Sequence, residues 1–182
     1  MSASIPAIVL AAGASRRLGQ PKQLVKLGGE TLIERAIRLA NEAGAAPVIA
    51  VLGAHFEIIC ASVAFNDAIL SINDQWEKGI ASSIHAGLKT LDAVAKGASG
   101  VLILGCDQPR LTAAHLRALT EAFTARNQAV IVASAYAGVH GVPAVFPRCV
   151  FADLLALRCD KGARALLVKP PCPAIWRNSM SD

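Results

Sequence analysis

The stretch Ile8-Val9-Leu10-Ala11-Ala12-Gly13-Ala14-Ser15-Arg16-Arg17-Leu18-Gly19-Gln20-Pro21-Lys22 decides how this chain begins to fold. An apolar run of strand length leads directly into a loop of small residues, and cationic side chains follow at once. Small side chains allow a ligand to approach the backbone N–H groups closely. Cations placed just beyond such a loop suit the binding of a polyphosphate. The segment therefore predicts a strand followed by an anion-binding loop.

This loop differs from the two commonest phosphate-binding patterns. It lacks G-x-x-x-x-G-K-[ST], and Gly13 and Gly19 are too far apart for G-x-G-x-x-G. A P-loop enzyme and a Rossmann dehydrogenase are therefore both disfavoured. Arg17 and Lys22 remain candidates for binding a triphosphate, with Pro21 stiffening the approach of Lys22. A glycine turn followed by two solvated cations would show the same residues.

Length and composition favour one domain that occupies residues 1–182. Hydrophobic residues make up 54% of the chain but aromatic residues only 4%, so alanine supplies much of the apolar content and helices can pack tightly on a sheet. The longest apolar runs have strand length, which predicts no membrane span. The N-terminus has no basic region before its apolar run, so we expect a cytoplasmic protein.

The net charge indicates which ligands the chain favours, and the cysteine content bears on disulfide bonds and zinc sites. The formal net charge of +5 favours anionic small molecules. Nucleic acid is disfavoured because long Lys/Arg runs are absent and aromatic residues are few. The five cysteines are odd in number and form no C-x-x-C pair, so we expect reduced, mostly buried thiols and no zinc site. Cys106 stands out because it adjoins a carboxylate at a predicted strand end.

Short apolar strands alternate with amphipathic helices along the chain. The predicted strands cover 7–10, 48–52, 68–72, 101–104, 129–133 and 142–146. The predicted helices cover 31–43, which opens on a capping box, 55–63, 79–95, 112–125 and 160–168. This alternation predicts a three-layer α/β/α fold with a mostly parallel sheet. Ligands of such sheets bind beyond the carboxyl ends of the strands, here in loops 11–22, 53–55, 73–79, 105–111 and 138–142.

The segment Leu104-Gly105-Cys106-Asp107-Gln108-Pro109 brings a carboxylate to the end of a buried strand. A carboxylate beside bound phosphates is a usual ligand of Mg²⁺, which neutralises and orients them. An aspartate that only forms an Asx-turn would look the same.

A third candidate follows the strand at 68–72, where Asn73 can both donate and accept, as recognition of a base requires. Ser82 and Ser83 lie in the first helical turn, where hydroxyl and free N–H groups can bind a ribose or base edge. Helix capping is the simpler explanation of this segment taken alone.

Two weaker candidates are His140 and Asp160. His140 lies between glycines, where it could contact a substrate or occupy a surface turn. Asp160 has the sequence position of an N-cap, and it could instead supply a second Mg²⁺ ligand. The other three histidines have no metal-binding spacing.

Together these segments resemble the MobA-like nucleotidyltransferase family, most closely its molybdenum cofactor cytidylyltransferases. The family's opening pattern, L-A-[AG]-G-x-S-x-R-[MFL]-G-x-[PD]-K, matches residues 10–22. Further matches lie at 73–83, 105–109, 141–146 and 160–164, so the resemblance spans nearly the whole chain. Cys106 departs from the glycine that is common before the aspartate in relatives.

The resemblance implies a Rossmann-like α/β/α fold and transfer of a nucleoside monophosphate from an NTP with release of pyrophosphate. Arg17 and Lys22 would stabilise the triphosphate charge, and Asp107, with Asp160 as a second candidate, would hold Mg²⁺. The nucleotide-binding residues that it implies are Leu10, Ala11, Ala12, Gly13, Arg17, Lys22, Asn73, Gly79, Ser82 and Ser83.

In this family Leu-Ala-Ala-Gly accompanies CTP users and Leu-Ala-Gly-Gly accompanies GTP users, so Ala12 favours CTP. The sequence-based hypothesis is transfer of CMP from Mg-CTP to molybdopterin, with a molybdoenzyme apoprotein as a partner that receives the product. One alternative is a related transferase that uses GTP or another phosphorylated acceptor. Another is a non-catalytic nucleotide-binding assembly factor, which the presence of Arg17, Lys22 and Asp107 disfavours.

Overall fold

Strands and helices alternate in the computed structural model, which describes residues 4–15, 19–136 and 139–178. The strands are β1 (Ala7–Ala11), β2 (Lys26–Leu27), β3 (Glu30–Thr31), β4 (Val48–Leu52), β5 (Ile69–Ile72), β6 (Gly100–Gly105), β7 (Ile131–Tyr136), β8 (Val139–Pro147) and β9 (Ala174–Asn178). The helices are α1 (Leu32–Glu42), α2 (Phe56–Ser62), α3 (Ile80–Val94), α4 (Ala113–Ala125), α5 (Phe151–Ala156) and α6 (Arg164–Val168).

Seven of these strands form one sheet in the order β5-β4-β1-β6-β8-β7-β9. β1 pairs in parallel with β4 on one side and with β6 on the other, so that Ala7 lies opposite Val48 and Leu102. β8 runs antiparallel to both β6 and β7, whereas β9 is parallel to β7. The mostly parallel sheet predicted from the sequence is confirmed.

Each face of the sheet carries its own hydrophobic core. On one face, Val9 and Leu104 pack with residues of α1 and α4 such as Ile37 and Leu119. On the other face, strand and helix side chains form a second core. Its members include Ile8, Val51, Ile103, Ile84, Leu88, Leu154 and Leu167. Burial on both faces makes the central strands β1, β4 and β6 apolar. The sheet and the helices on its two faces form the three-layer α/β/α arrangement.

The end of the chain differs from the sequence-based prediction. The last helix begins at Arg164 rather than at Asp160, because the chain first makes a turn in which Lys161 N–H donates to the Arg158 carbonyl. Cys159 takes a left-handed conformation there, with φ 54°. α5, β9 and the β2–β3 hairpin were not predicted. The expectation of mostly buried thiols is also wrong, since Cys106 is buried but Cys60, Cys149 and Cys159 are exposed.

The predicted capping box at α1 is present in full. The Thr31 hydroxyl accepts the Glu34 N–H, and the Glu34 carboxylate accepts the Thr31 N–H at 3.0 Å. The hydrogen bond from the Thr31 side chain is the main cause that lowers the pKa of Glu34 below its ordinary value. A carboxyl with a lowered folded-state pKa stabilises the fold above its ordinary pKa and loses that contribution as the pH falls through the folded value.

We predict that Thr31→Ala lowers the free energy of unfolding by about 1 kcal/mol near neutral pH, because the cap and its carboxylate bond are both lost. The difference from the wild type should shrink in acid, where Glu34 is protonated in both proteins. Urea unfolding followed by circular dichroism at neutral and acid pH measures both effects.

Thr124→Ala is the matched control, because the Thr124 hydroxyl is exposed and donates only within its own helix, to the Thr120 carbonyl. It should leave stability nearly unchanged. A Thr31→Ala deficit that stays constant with pH would contradict the assigned role of the Glu34 carboxylate.

Candidate active site

A cleft of about 490 Å³ opens at the edge of the sheet where the parallel strands end. The loops after β1 and β6, the segment before α3, the beginning of β8 and the turn before α6 contribute to its lining. The predicted site residues that line it are Leu10, Ala11, Ala12, Gly13, Lys22, Gly79, Ser83, Asp107 and Asp160. Arg17 lies outside the described residues.

Lys22 and Asp107 meet in this cleft although 85 positions separate them in sequence. Lys22 Nζ donates to Asp107 Oδ2 at 2.7 Å, and the two side chains are 31% and 49% exposed. Ion pairs that are this accessible to solvent contribute little to stability. The pair can therefore separate at small cost when other charged groups enter the cleft.

The end of β6 determines where Asp107 points. Leu10 of β1 lies opposite Gly105 of β6, which brings the first loop beside the aspartate. A side chain on Gly105 would lie 2.9 Å from Asp107 Oδ1, so glycine leaves room for the carboxylate to fold over the strand end. The glycine of the strand-Gly-x-Asp pattern is therefore needed because the Asp107 carboxylate packs closely against it.

Cys106 faces the other way, into the core between the sheet, α1 and α4, and is 3% exposed. Burial, and secondarily the charge of Asp107, raises the pKa of the Cys106 thiol to about 12. A thiol with this pKa is neutral near pH 7 and is a poor nucleophile. Cys106 is therefore a packing residue.

Gln23 holds the first loop in place, and the sequence analysis missed it. Its side chain is fully buried, and Nε2 donates to the carbonyls of Ala11 at 2.6 Å and Gly13 at 2.9 Å. Ser15 Oγ accepts the Lys22 N–H at 2.9 Å, which ties the end of the loop to the lysine. The only sequence signal was a polar residue placed directly after the predicted cation.

Asn73 lies behind the cleft wall and is 4% exposed. Its Nδ2 donates to Ser82 Oγ at 2.8 Å and to Ser83 Oγ at 3.1 Å, while its Oδ1 accepts the Gln75 N–H. Among the described residues that line the cleft, Ser83 is present but Asn73 and Ser82 are not. This geometry favours a positioning role for Asn73 over the direct base contact expected from the sequence.

Gly79 brings Asp160 into the cleft. Its φ of +95° is unfavourable for other residues, and a Cβ there would lie 2.6 Å from Asp160 Oδ1 and from the Cys159 carbonyl oxygen. The Cys159 carbonyl accepts the Ala81 N–H at 3.1 Å, which fixes this turn on the first turn of α3. Asp160 therefore lines the same cleft as Asp107 without acting as an N-cap.

Another part of the cleft wall is formed by Trp76 and Ala12. Both pack closely around Gly53, where a Cβ would lie 2.6 Å from Trp76 Cβ and 2.9 Å from Ala12 Cβ. A glycine after β4 is thus required for this wall to close. Ala12 is 5% exposed and packs tightly against Gly53.

His140 is the remaining predicted candidate, and it lies in β8 rather than in a surface turn. Its ring stacks on Trp176 of β9, with the ring centroids 3.8 Å apart and the planes 5° from parallel.

Three carboxylate residues line the cleft in the described part of the chain, namely Glu77, Asp107 and Asp160. In those ranges no three His, Cys, Asp or Glu side chains lie close enough together to form a metal site. Asp107 and Asp160 are hard oxygen donors, which fits a cation that takes its other ligands from phosphate and water.

None of the described helices is long and apolar enough to cross a membrane.

We predict that Gln23→Met lowers the free energy of unfolding by about 1–3 kcal/mol, because methionine fills the space but leaves the Ala11 and Gly13 carbonyls without their side-chain donor. Urea unfolding measures this loss. Gln20→Met changes an exposed glutamine of the same loop and should have little effect. Equal stability of the two variants would contradict the clamp assigned to Gln23.

Comparisons with known proteins agree with this fold. The chain is 36% identical over 109 residues to the nicotine blue oxidoreductase of Paenarthrobacter nicotinovorans, which covers 59% of this chain and 52% of that protein. It is 36% identical over 135 residues to a probable molybdenum cofactor guanylyltransferase of Opitutus terrae, which covers 72% of this chain and 63% of the relative. The matches thus span less than two thirds of either relative's length.

Among solved structures, Rv0371C of Mycobacterium tuberculosis H37Rv in complex with manganese superposes with a TM-score of 0.81. The two chains are 27% identical, and the match covers 98% of this chain and 90% of the other. The model of the MobA-like NTP transferase domain matches residues 7–172, and the chain therefore belongs to this family.

Proposed function

We propose that this protein transfers CMP from Mg-CTP to the terminal phosphate of molybdopterin and releases pyrophosphate. The observation that carries the proposal is the meeting of Lys22 Nζ and Asp107 Oδ2 at 2.7 Å in a cleft with small-residue walls. A cation and a carboxylate side by side are the two groups that a metal-bound triphosphate needs.

The nucleotide would lie along the loop after β1. Ala12, Gly13 and Ala14 line the cleft with small side chains, so phosphate and ribose groups can approach the backbone. Lys22 would leave Asp107 for the phosphates, and Arg17 is proposed to join it. Asn73 and Ser82 would act from behind the wall by holding the first turn of α3.

Catalysis would rest on positioning and charge. The acceptor phosphate is already anionic at neutral pH, so its attack on the α-phosphorus needs no strong general base. Lys22 would stabilise the negative charge that builds up on the leaving pyrophosphate. A covalent enzyme intermediate at Cys106 is disfavoured by its burial and by its raised pKa.

Asp107 and Asp160 are the residues that would hold Mg²⁺. Bound Mg²⁺ would neutralise phosphate charge and help to orient the phosphates. The manganese complex of the M. tuberculosis relative supports a divalent cation in this family. Both carboxylates line one cleft, and Gly79 holds Asp160 there through close packing.

CTP is proposed over GTP because Ala12 carries a methyl group where the family's GTP users have glycine. The Ala12 methyl packs against Gly53, on which Trp76 also packs, so the methyl has little room to move aside for a larger base. The Opitutus terrae relative is named as a guanylyltransferase, so GTP is the second candidate for the nucleotide.

The acceptor and the class of activity each have a second candidate as well. A different phosphorylated acceptor would use the same nucleotide site. A non-catalytic assembly factor would have no need for Lys22 beside Asp107, and this pair favours an enzyme. The relative named as an oxidoreductase is matched over 52% of its length, and that activity is not proposed for this chain.

We predict that Lys22→Ala and Asp107→Asn each lower kcat for pyrophosphate release from CTP by about 100-fold or more, because each removes a charge that the transition state requires. The assay measures pyrophosphate with purified molybdopterin at saturating Mg²⁺.

Lys89→Ala and Asp67→Asn remove exposed charges outside the cleft and serve as controls. Near-normal turnover in either cleft variant, with circular dichroism showing an intact fold, would contradict the role given to that residue. Absence of release from both CTP and GTP with every acceptor would overturn the enzyme proposal.

We further predict that Ala12→Gly raises the ratio of kcat/KM for GTP to that for CTP by roughly tenfold, a typical effect of one methyl group in a tight pocket. Ala14→Gly is the control, because Ala14 also lines the cleft but lies beyond the contact with Gly53 and Trp76. An unchanged ratio in Ala12→Gly would show that base choice is decided elsewhere.

A further inference from the structure

We infer that the stacked rings of His140 and Trp176 form the site that binds the ring of the acceptor. This inference rests on the proposed function, since it assigns the binding site of the second substrate of the same reaction. It begins from a feature that the nucleotide site leaves unused: two parallel rings with centroids 3.8 Å apart beside the cleft.

The order of the strands leaves one side of the cleft for the acceptor. Trp76 and Ala12 lie on the side of β5, β4 and β1, while Asp107 follows the central strand β6. An in-line displacement places the incoming phosphate and the leaving pyrophosphate on opposite sides of the reacting phosphorus. The acceptor should therefore lie over β8, β7 and β9, beyond Asp107.

The ring pair lies on that side and at that edge. β8 runs antiparallel, so its first residues lie at the edge where the parallel strands end. Val142 lines the cleft, and His140 is two residues nearer the beginning of the strand, about 7 Å further along it. The stack therefore continues the cleft wall outward.

Small residues of β7 lie between the strands that carry the two rings, and we call the stacked pair the ring platform. His140 lies opposite Ala135 of β7, and Trp176 lies opposite Ala133, so small side chains separate the two aromatic residues across β7. Trp176 is 37% exposed, which leaves part of a flat aromatic surface accessible to solvent. Planar heterocycles stack on such surfaces with little dependence on their polar edges.

The spacing fits a phosphate joined to a ring. Neighbouring strands lie about 4.8 Å apart, and the two rings come from strands one and three places from β6, so the ring pair is centred over β7, about 10 Å from the β6 strand that precedes Asp107. A short linker between phosphate and ring spans that distance. A sugar phosphate has no flat aromatic face and would gain little from this platform.

The two tryptophans of the chain allow a direct test, because Trp76 reports on the nucleotide side and Trp176 on the acceptor side. Their indole N–H resonances are measured by NMR in the wild type and assigned with Trp76→Phe. We expect hydroxymethylpterin phosphate to shift the Trp176 resonance, CTP to shift the Trp76 resonance, and glucose 1-phosphate to leave Trp176 unchanged.

We expect His140→Ala to weaken binding of hydroxymethylpterin phosphate roughly tenfold while the CTP-induced shift at Trp76 stays normal. Trp176→Phe keeps a stacking ring and should retain most of the affinity, whereas Trp176→Ala should lose it. The normal response to CTP shows that each variant is folded at the nucleotide site.

The two proposals fail in different ways. If hydroxymethylpterin phosphate leaves Trp176 unshifted while acceptor-dependent pyrophosphate release is normal, the ring site is wrong and the transferase proposal stands. If Trp176 shifts but no acceptor supports pyrophosphate release, the transferase proposal is wrong and ring binding at this platform is still established.

Discussion

The parallel pairing of β1 with both β4 and β6 is the constraint on which the site depends. It places the carboxyl ends of three buried strands at one edge, so residues from distant parts of the chain enter one cleft. The register that sets Leu10 opposite Gly105 brings Lys22 within 2.7 Å of Asp107. A shift of one residue would turn every side chain of β1 to the opposite face and would separate these groups.

At this edge of the sheet, one set of side chains holds the loops in place and another set is available to contact a ligand. Gln23 and Asn73 are buried, and their amides bind the protein itself. Lys22 and Asp107 are partly exposed and bind each other weakly enough to exchange partners. A reaction that depends on positioning and electrostatics requires a fixed backbone around the cleft and charged side chains that can turn to the substrate.

Sequence reasoning succeeded where the physical signal is local. Buried parallel strands are continuous apolar runs, and the Thr31 capping box lies within four consecutive residues. Both were therefore predicted. β9 was missed because it is a largely exposed edge strand without a continuous apolar run. The predicted start of the last helix was too early because aspartate is a common N-cap residue. In the structure Asp160 instead packs against Gly79 and caps none of the described helices.

The same distinction applies to the candidate site. Lys22, Asp107 and Ser83 follow strands or open a helix, and the topology alone predicts that they share an edge. The clamp made by Gln23 and the stack of His140 on Trp176 depend on which side chain fills a particular space, and 36 positions separate the two stacked residues. No periodicity or motif records such contacts before the fold is known.

The most direct test of the central claim is calorimetric binding of CTP with and without Mg²⁺, in the wild type and in Asp107→Asn. If Asp107 helps to hold a metal-bound triphosphate, Mg²⁺ should strengthen CTP binding markedly in the wild type and much less in the variant. Equal strengthening by Mg²⁺ in the two proteins would contradict the account, because the metal would then be bound without the carboxylate that meets Lys22.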